Sequence, residues 1–161
     1  MSLCLFTDGS VDPKSKVGYG AYLAVENIQQ SPEDLNSKIR SKTFKATSST
    51  RLELETLLWA LEELSPSNVP ITLYTDSQNI VRLPGRRERL ETSDFHSKAG
   101  DPIKNADLYL KFYDAIDRLE IEIVKVKGHQ RTSEKSKIEK IFTLVDRASR
   151  KALKASRNLS S

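Results

Sequence analysis

Two short apolar runs in this chain end alike, as Phe6-Thr7-Asp8-Gly9-Ser10 and as Tyr74-Thr75-Asp76-Ser77. If the two runs are parallel neighbouring strands, both aspartates lie near the carboxyl ends of a twisted sheet, where open α/β folds place their ligands. Two unpaired carboxylates held close in a partly buried site cannot both stay ionised cheaply, so either one takes up a proton or a cation sits between them. Hard oxygen ligands of this kind favour Mg²⁺ or Mn²⁺. Glu53 and Asp146 are further candidates. Asp146 falls beside Val145, on or near the apolar face of the last helical segment, where an ionised side chain needs a partner. Each acid also has an ordinary structural use. An aspartate after a strand forms turns or caps helices, Thr50-Arg51-Leu52-Glu53 has the spacing of a capping box, and Asp146 can pair with Arg150 one helical turn on. His129, in Lys127-Gly128-His129, is either part of a plain turn or a titrating side chain in a loop. Taken one at a time, these residues leave both uses open.

The elements that must position them follow from the hydrophobic pattern. Leu3 to Phe6 reads as a buried strand ending in a turn at Asp8-Gly9-Ser10. Gly18 to Val25 and Lys42 to Ala46 read as two more strands, separated by a polar stretch from Asn27 to Arg40, and the three suggest an antiparallel meander. The cluster Thr47-Ser48-Ser49-Thr50 opens a helix in which Leu54, Leu57, Leu58, Leu61 and Leu64 keep helical spacing up to Ser65-Pro66. Ile71 to Thr75 is a fourth strand, and Ser77 caps a short helix that Pro84-Gly85 is expected to stop. Arg86 to Lys104 is charged and irregular. A helix carrying Leu108, Leu110, Phe112, Ala115, Ile116 and Leu119 follows, then a fifth strand from Ile121 to Val126, a basic loop from Lys127 to Lys137, and a last helix from Ile138 to Ala155. The order predicts an α/β fold, a five-stranded mixed sheet covered by helices on both faces. Residues 1 to 157 are expected to form one domain, with 158 to 161 as a frayed tail.

With 161 residues, 37% of them hydrophobic and 30% charged, the composition is neither that of a disordered chain nor of a fibrous one. No apolar run reaches the roughly 20 residues of a membrane-spanning helix, so no membrane is expected as a partner. Cys4 is the single cysteine, which excludes an intramolecular disulfide framework and a multi-thiolate zinc site and suits a reducing compartment. The first eight residues carry no export signal, and the expected location is cytoplasmic. Charge is unevenly placed. Lys125 to Arg157 holds 11 Lys/Arg against 3 Asp/Glu, whereas residues 1 to 124 hold 15 against 19. A basic block of this kind is either a solvated face or a contact for a polyanion.

Taken jointly, the motifs have a family order. Asp-Gly-Ser after the first strand, Arg51-Leu52-Glu53-Leu54 opening the first helix, Thr75-Asp76-Ser77-Gln78 after the fourth strand, Lys127-Gly128-His129 after the fifth and Val145-Asp146 in the last helix resemble type 1 ribonuclease H. The resemblance spans Leu3 to about Ala155. It implies the ribonuclease H fold and endonucleolytic cleavage of the RNA strand of an RNA–DNA hybrid, leaving 5′-phosphate and 3′-hydroxyl ends. It further implies that Asp8, Glu53, Asp76 and Asp146 hold two Mg²⁺ ions, for which Mn²⁺ can substitute, with Asp8 bridging them, and that His129 assists proton movement or product departure. Gly9, Ser10 and Gln78 match positions that touch the hybrid. Ser49 and Thr50 stand where the family often has asparagine or another amide. Arg82, Arg86, Arg87 and Arg89 align with the basic protrusion by which many bacterial members grip duplexes, and a solvated surface loop is the other reading of that segment. No separate hybrid-binding module is expected before Leu3, and binding is expected to come from the catalytic domain, the basic C-terminal block or a partner. The expected molecule is a monomer. The competing reading is a hybrid- or duplex-binding module of the same fold that has lost turnover.

Overall fold

A computed structural model describes residues 2–127 and 136–159 of the chain. Strand β1 (Leu3–Asp12) is the middle of a five-stranded sheet. It pairs antiparallel with β2 (Val17–Val25), which pairs antiparallel with the edge strand β3 (Arg40–Phe44). On its other side β1 runs parallel to β4 (Ile71–Thr75), and β4 runs parallel to β5 (Ile121–Lys125). The spatial order is β3-β2-β1-β4-β5, the mixed sheet expected from the pattern.

Leu5 and Phe6 explain why β1 is central. Successive side chains of a strand point to opposite faces, and both of these are fully buried, so both faces of the sheet are covered. Leu5 belongs to a core built with Leu54 and Leu57 of helix α2 (Ser49–Leu64), Ile80 and Leu83 of α3 (Gln78–Thr92), and Leu108 and Phe112 of α4 (Ala106–Arg118). Phe6 belongs to the opposite core, with Leu35 of the short helix α1 (Pro32–Ser37) and Ile141, Phe142 and Val145 of α5 (Lys137–Leu159).

Four expectations are corrected. Strand β1 does not turn at Asp8-Gly9-Ser10; pairing with β2 continues through Gly9↔Gly20 to Asp12↔Val17. Gly9 serves close approach and not a turn, because a Cβ there would lie 2.8 Å from Cδ2 of Leu52. Helix α3 does not stop at Pro84-Gly85. Ile80, Leu83 and Leu90 bury one face, and the Tyr113 hydroxyl donates to the Leu83 carbonyl at 2.6 Å beside the turn where Pro84 supplies no N–H, so tertiary packing overrides the breaker. The polar stretch from Asn27 to Arg40 contains α1, capped by the Ser31 hydroxyl accepting from Asp34 N–H at 3.1 Å, with Leu35 as its buried anchor. The last helix extends past Ala155 to Leu159. Among the described residues no helix is long and apolar enough to cross a membrane.

Candidate active site

The parallel register sets the site. Phe6 lies opposite Tyr74, so Asp8 and Asp76, two residues further along each strand, are neighbours at the same end of the sheet. Asp8 is still within β1, opposite Ala21 of β2, and half-buried; Asp76 stands exposed just beyond β4. Asp8, Glu53 and Asp76 line one cleft.

Glu53 reaches this cleft because α2 sits low on the sheet. Gly9 and Gly20 form its floor: a Cβ at Gly20 would come within 2.2 Å of Thr56 Oγ1, one helical turn from Glu53. The capping use of Glu53 does not hold. The N-cap is Ser48, whose hydroxyl accepts from Arg51 N–H at 3.3 Å, which places Glu53 beyond the capping-box position. Its carboxylate instead accepts from the Ser77 hydroxyl at 2.6 Å. That hydroxyl also caps α3 by accepting from Ile80 N–H at 3.2 Å, and Ser77 N–H donates to Thr75 Oγ1 at 3.1 Å. One serine therefore ties Glu53 to the turn that carries Asp76.

Asp146 enters from α5 on the other side. The Arg150 pairing is present: the Asp146 carboxylate accepts from Arg150 Nε at 3.1 Å and also shares a hydrogen bond with Asp8. Ser149, fully buried one turn on, donates to the Asp146 carbonyl at 2.9 Å and meets the Ser10 hydroxyl at 2.9 Å, pinning this part of α5 to β1.

The electrostatics report crowded negative charge. Burial first, then the hydrogen bond to Asp146 and the charges of Asp76 and Asp146, push the Asp8 carboxyl up to about 9, against a smaller opposing hydrogen bond from Gly9 N–H. Burial and the charge of Asp76 raise Glu53, with the Ser77 hydroxyl opposing them. Four carboxylates at one end of a sheet offer hard-oxygen donors of the kind a divalent cation takes. Among the described residues no three acidic, His or Cys side chains surround a single point tightly enough to cage an ion. Asp8 is paired with Asp146, and Glu53 with the Ser77 hydroxyl.

The remaining predicted residues fall as follows. Gly9 and Ser10 lie on β1 beside Asp8, and Ser49 and Thr50 form the first turn of α2. Gln78 is exposed at the start of α3, and its amide oxygen accepts from Lys125 Nζ. Arg86 and Arg87 turn toward α4. Arg86 donates to Asn79 Oδ1 at 3.2 Å and stacks its guanidinium 5.5 Å from the Tyr109 ring centroid. Arg87 forks onto Asp117 at 2.6 and 2.7 Å and reaches Glu91 at 2.7 Å. Arg82 and Arg89 are exposed. His129 lies outside the described residues. The sequence reading missed Lys125, Ser149 and the role of Ser77. Register alone links Lys125 to the site, since it pairs with Thr75.

The family model for RNase H matches residues 1–153. The chain belongs to the RNase H family. A ribonuclease H of Haemophilus influenzae is 32% identical over 126 residues, covering 78% of this chain and 77% of that protein. One from Trichodesmium erythraeum is 27% identical over 142 residues, covering 86% and 85%. In three dimensions the chain resembles the foamy viral protease-reverse transcriptase solved in complex with an RNA/DNA hybrid, with a TM-score of 0.66 at 13% identity. The likeness covers 91% of this chain and 20% of that one. The native prototype foamy virus enzyme gives a TM-score of 0.68 at 17% identity with the same coverage, a likeness of fold.

Proposed function

We propose that this RNase H family member cleaves the RNA strand of RNA–DNA hybrids as a divalent-metal-dependent endonuclease, leaving 5′-phosphate and 3′-hydroxyl ends. The observation that carries the reading is the meeting of Asp8, Asp76, Glu53 and Asp146 at one end of the sheet, each delivered by a different element. Those four residues would hold Mg²⁺, two ions by family resemblance, with Mn²⁺ as a substitute. Bound there, the cations would lower the pKa of an attacking water and neutralise charge on the departing 3′ oxygen.

The residues of the chain do the rest. Asp8 must release its proton before both its oxygens can serve as ligands, and the Asp8–Asp146 hydrogen bond is what it gives up. Ser77 holds one oxygen of Glu53 and leaves the other for a ligand. Arg150 draws one oxygen of Asp146 away from the cleft and lowers the repulsion within it. Gly9, Ser10, Ser49, Thr50 and Gln78 line the approach and are assigned to the hybrid, where short polar groups and backbone amides can read the 2′-hydroxyl that separates RNA from DNA. Lys125 orients the Gln78 amide. His129 is assigned to proton transfer or product departure. Arg82 and Arg89, exposed on α3, are assigned to phosphate contacts, whereas Arg86 is engaged with Asn79 and Arg87 with Asp117 and Glu91. The protein acts as a monomer.

A second reading, a hybrid- or duplex-binding module without turnover, has one observation in its favour: among the described residues no three acidic, His or Cys side chains cluster closely enough to hold an ion. End-labelled RNA–DNA hybrid, RNA duplex and DNA duplex, each incubated with and without Mg²⁺, separate the two. The nuclease reading expects cutting of the hybrid alone, only with metal, and products that bear 5′-phosphates. Tight binding of the hybrid with no cutting in either metal would establish the second reading.

A further inference from the structure

The basic block at the carboxyl end of the chain divides into two sets once it is wound into α5. Arg150 and Arg157 face the active-site side, where they pair with Asp146 at 3.1 Å and Asp12 at 3.9 Å. Lys140, Arg147, Lys151 and Lys154 recur at intervals of seven, four and three residues, which places them on one stripe of the helix. All four are exposed, and among the described residues none of them is in an ion pair. The stripe extends for about 21 Å at about 1.5 Å per residue.

The stripe borders two grooves that share Arg147 and run between α5 and the α1–β3 side of the sheet. Among the described residues no Asp or Glu lines either groove. Near Arg147 and Lys151 the floor is Ala148, Ala152 and Ala155, and the opposite wall offers the Asn36 amide and the Ser41 hydroxyl. A floor of alanines leaves the cations and these two polar groups as the features that can recognise a ligand. Their ligand is a repeating anion, because four unneutralised charges along a line match a chain of phosphates better than one carboxylate.

We infer that this α5 stripe binds the phosphodiester backbone of a nucleic-acid duplex, at a surface separate from the carboxylate cleft. It rests on the nuclease reading only in taking the polyanion to be nucleic acid. The competing occupant is an acidic peptide with an apolar anchor, because toward the start of α5 the floor includes Leu35, Ile141 and Leu144.

The test uses the full chain and a blunt DNA duplex two helical turns long. Its affinity is measured as a function of salt for the wild type and for Lys140→Ala/Arg147→Ala/Lys151→Ala/Lys154→Ala. The variant is expected to bind about tenfold or more weakly at physiological salt, with a log K against log salt slope shallower by about 3.6, about 0.9 for each phosphate left without its cation. The charge-retaining variant Lys140→Arg/Lys151→Arg/Lys154→Arg is expected to keep the wild-type slope. An unchanged slope in the alanine variant overturns the inference. So does an unchanged duplex affinity together with lost binding of a Glu-rich peptide carrying a leucine anchor, which would assign the groove to a protein partner. Should the fourfold variant not fold, Lys140→Gln/Lys154→Gln carries the same expectation with a slope shallower by about 1.8. The duplex is DNA on both strands, so this result stands or falls independently of whether the chain cuts hybrids. A wild type that binds the duplex through α5 yet leaves hybrid intact would sink the nuclease reading alone.

Discussion

Burial first, and then the acids around it, push the Asp8 carboxyl well above the ordinary carboxylate range, and the consequence for stability has a definite sign. Its folded-state pKa is about 9 against an ordinary 3.8, so the folded protein keeps a proton that the unfolded chain gives up above about pH 4. Keeping it costs stability that grows as pH rises from about 4 toward 9, and the cost vanishes below pH 4, where both states are protonated. Asp8→Asn, which mimics the neutral carboxyl, is therefore expected to melt higher than wild type in EDTA at pH 7 and equally at pH 3.5. Thermal melts across that range check it, and equal melting temperatures at pH 7 would contradict it. Added Mg²⁺ should close the gap by stabilising only the wild type. Ser77 is the second residue with a defined consequence. Ser77→Ala removes the α3 cap and the partner of Glu53 together, with an expected loss of about 1 to 2 kcal/mol in denaturant melts and slower cleavage. Ser77→Thr, which keeps the hydroxyl, should restore most of both.

At the scale of elements, the closeness of α2 to the sheet decides whether Glu53 reaches the site. Gly20→Ala would drive a methyl into Thr56 Oγ1 and is expected to cost about 1 to 3 kcal/mol and to slow cleavage. Thr56→Val should be neutral or stabilising, since among the described residues the buried Thr56 hydroxyl has no hydrogen-bond partner. Urea melts of the two variants test both statements. The same elements show what local sequence could and could not announce. The leucine spacing of α2 and the apolar runs of β1, β4 and β5 were legible because each is a one-sided or two-sided burial pattern. Asp8-Gly9-Ser10 looks like a turn because glycine is conformationally free, and only the three-dimensional contact with Leu52 gives its other reason. Pro84 looks like a helix stop because the support from Tyr113 comes from 30 residues away. Glu53 looks like a cap until Ser48 takes that position. The acids were legible as a set, since their order along the chain matches the family, whereas Lys125 and Ser149 carry no local mark and act through register and burial.

For the whole molecule, charge is sorted by face. The acids converge at one end of the sheet, α3 offers Arg82 and Arg89 to solvent, and α5 carries a separate basic stripe. Arg87, clasped by Asp117 and Glu91, is expected to act mainly on the packing of α3 against α4. Arg87→Ala should lower the melting temperature slightly, as the loss of solvent-screened ion pairs does. Arg82→Ala/Arg89→Ala should leave stability unchanged and flatten the salt dependence of hybrid binding by about 1.8. Filter binding and melting of the two variants separate these effects. The most direct test of the central claim compares the wild type with Asp8→Asn on one labelled RNA–DNA hybrid in Mg²⁺, scoring binding and cutting in the same reaction. The expected result is hybrid bound by both proteins and RNA cut only by the wild type. Cutting by Asp8→Asn at the wild-type rate, or no cutting by either, would contradict the assignment of this carboxylate cleft as a nuclease centre.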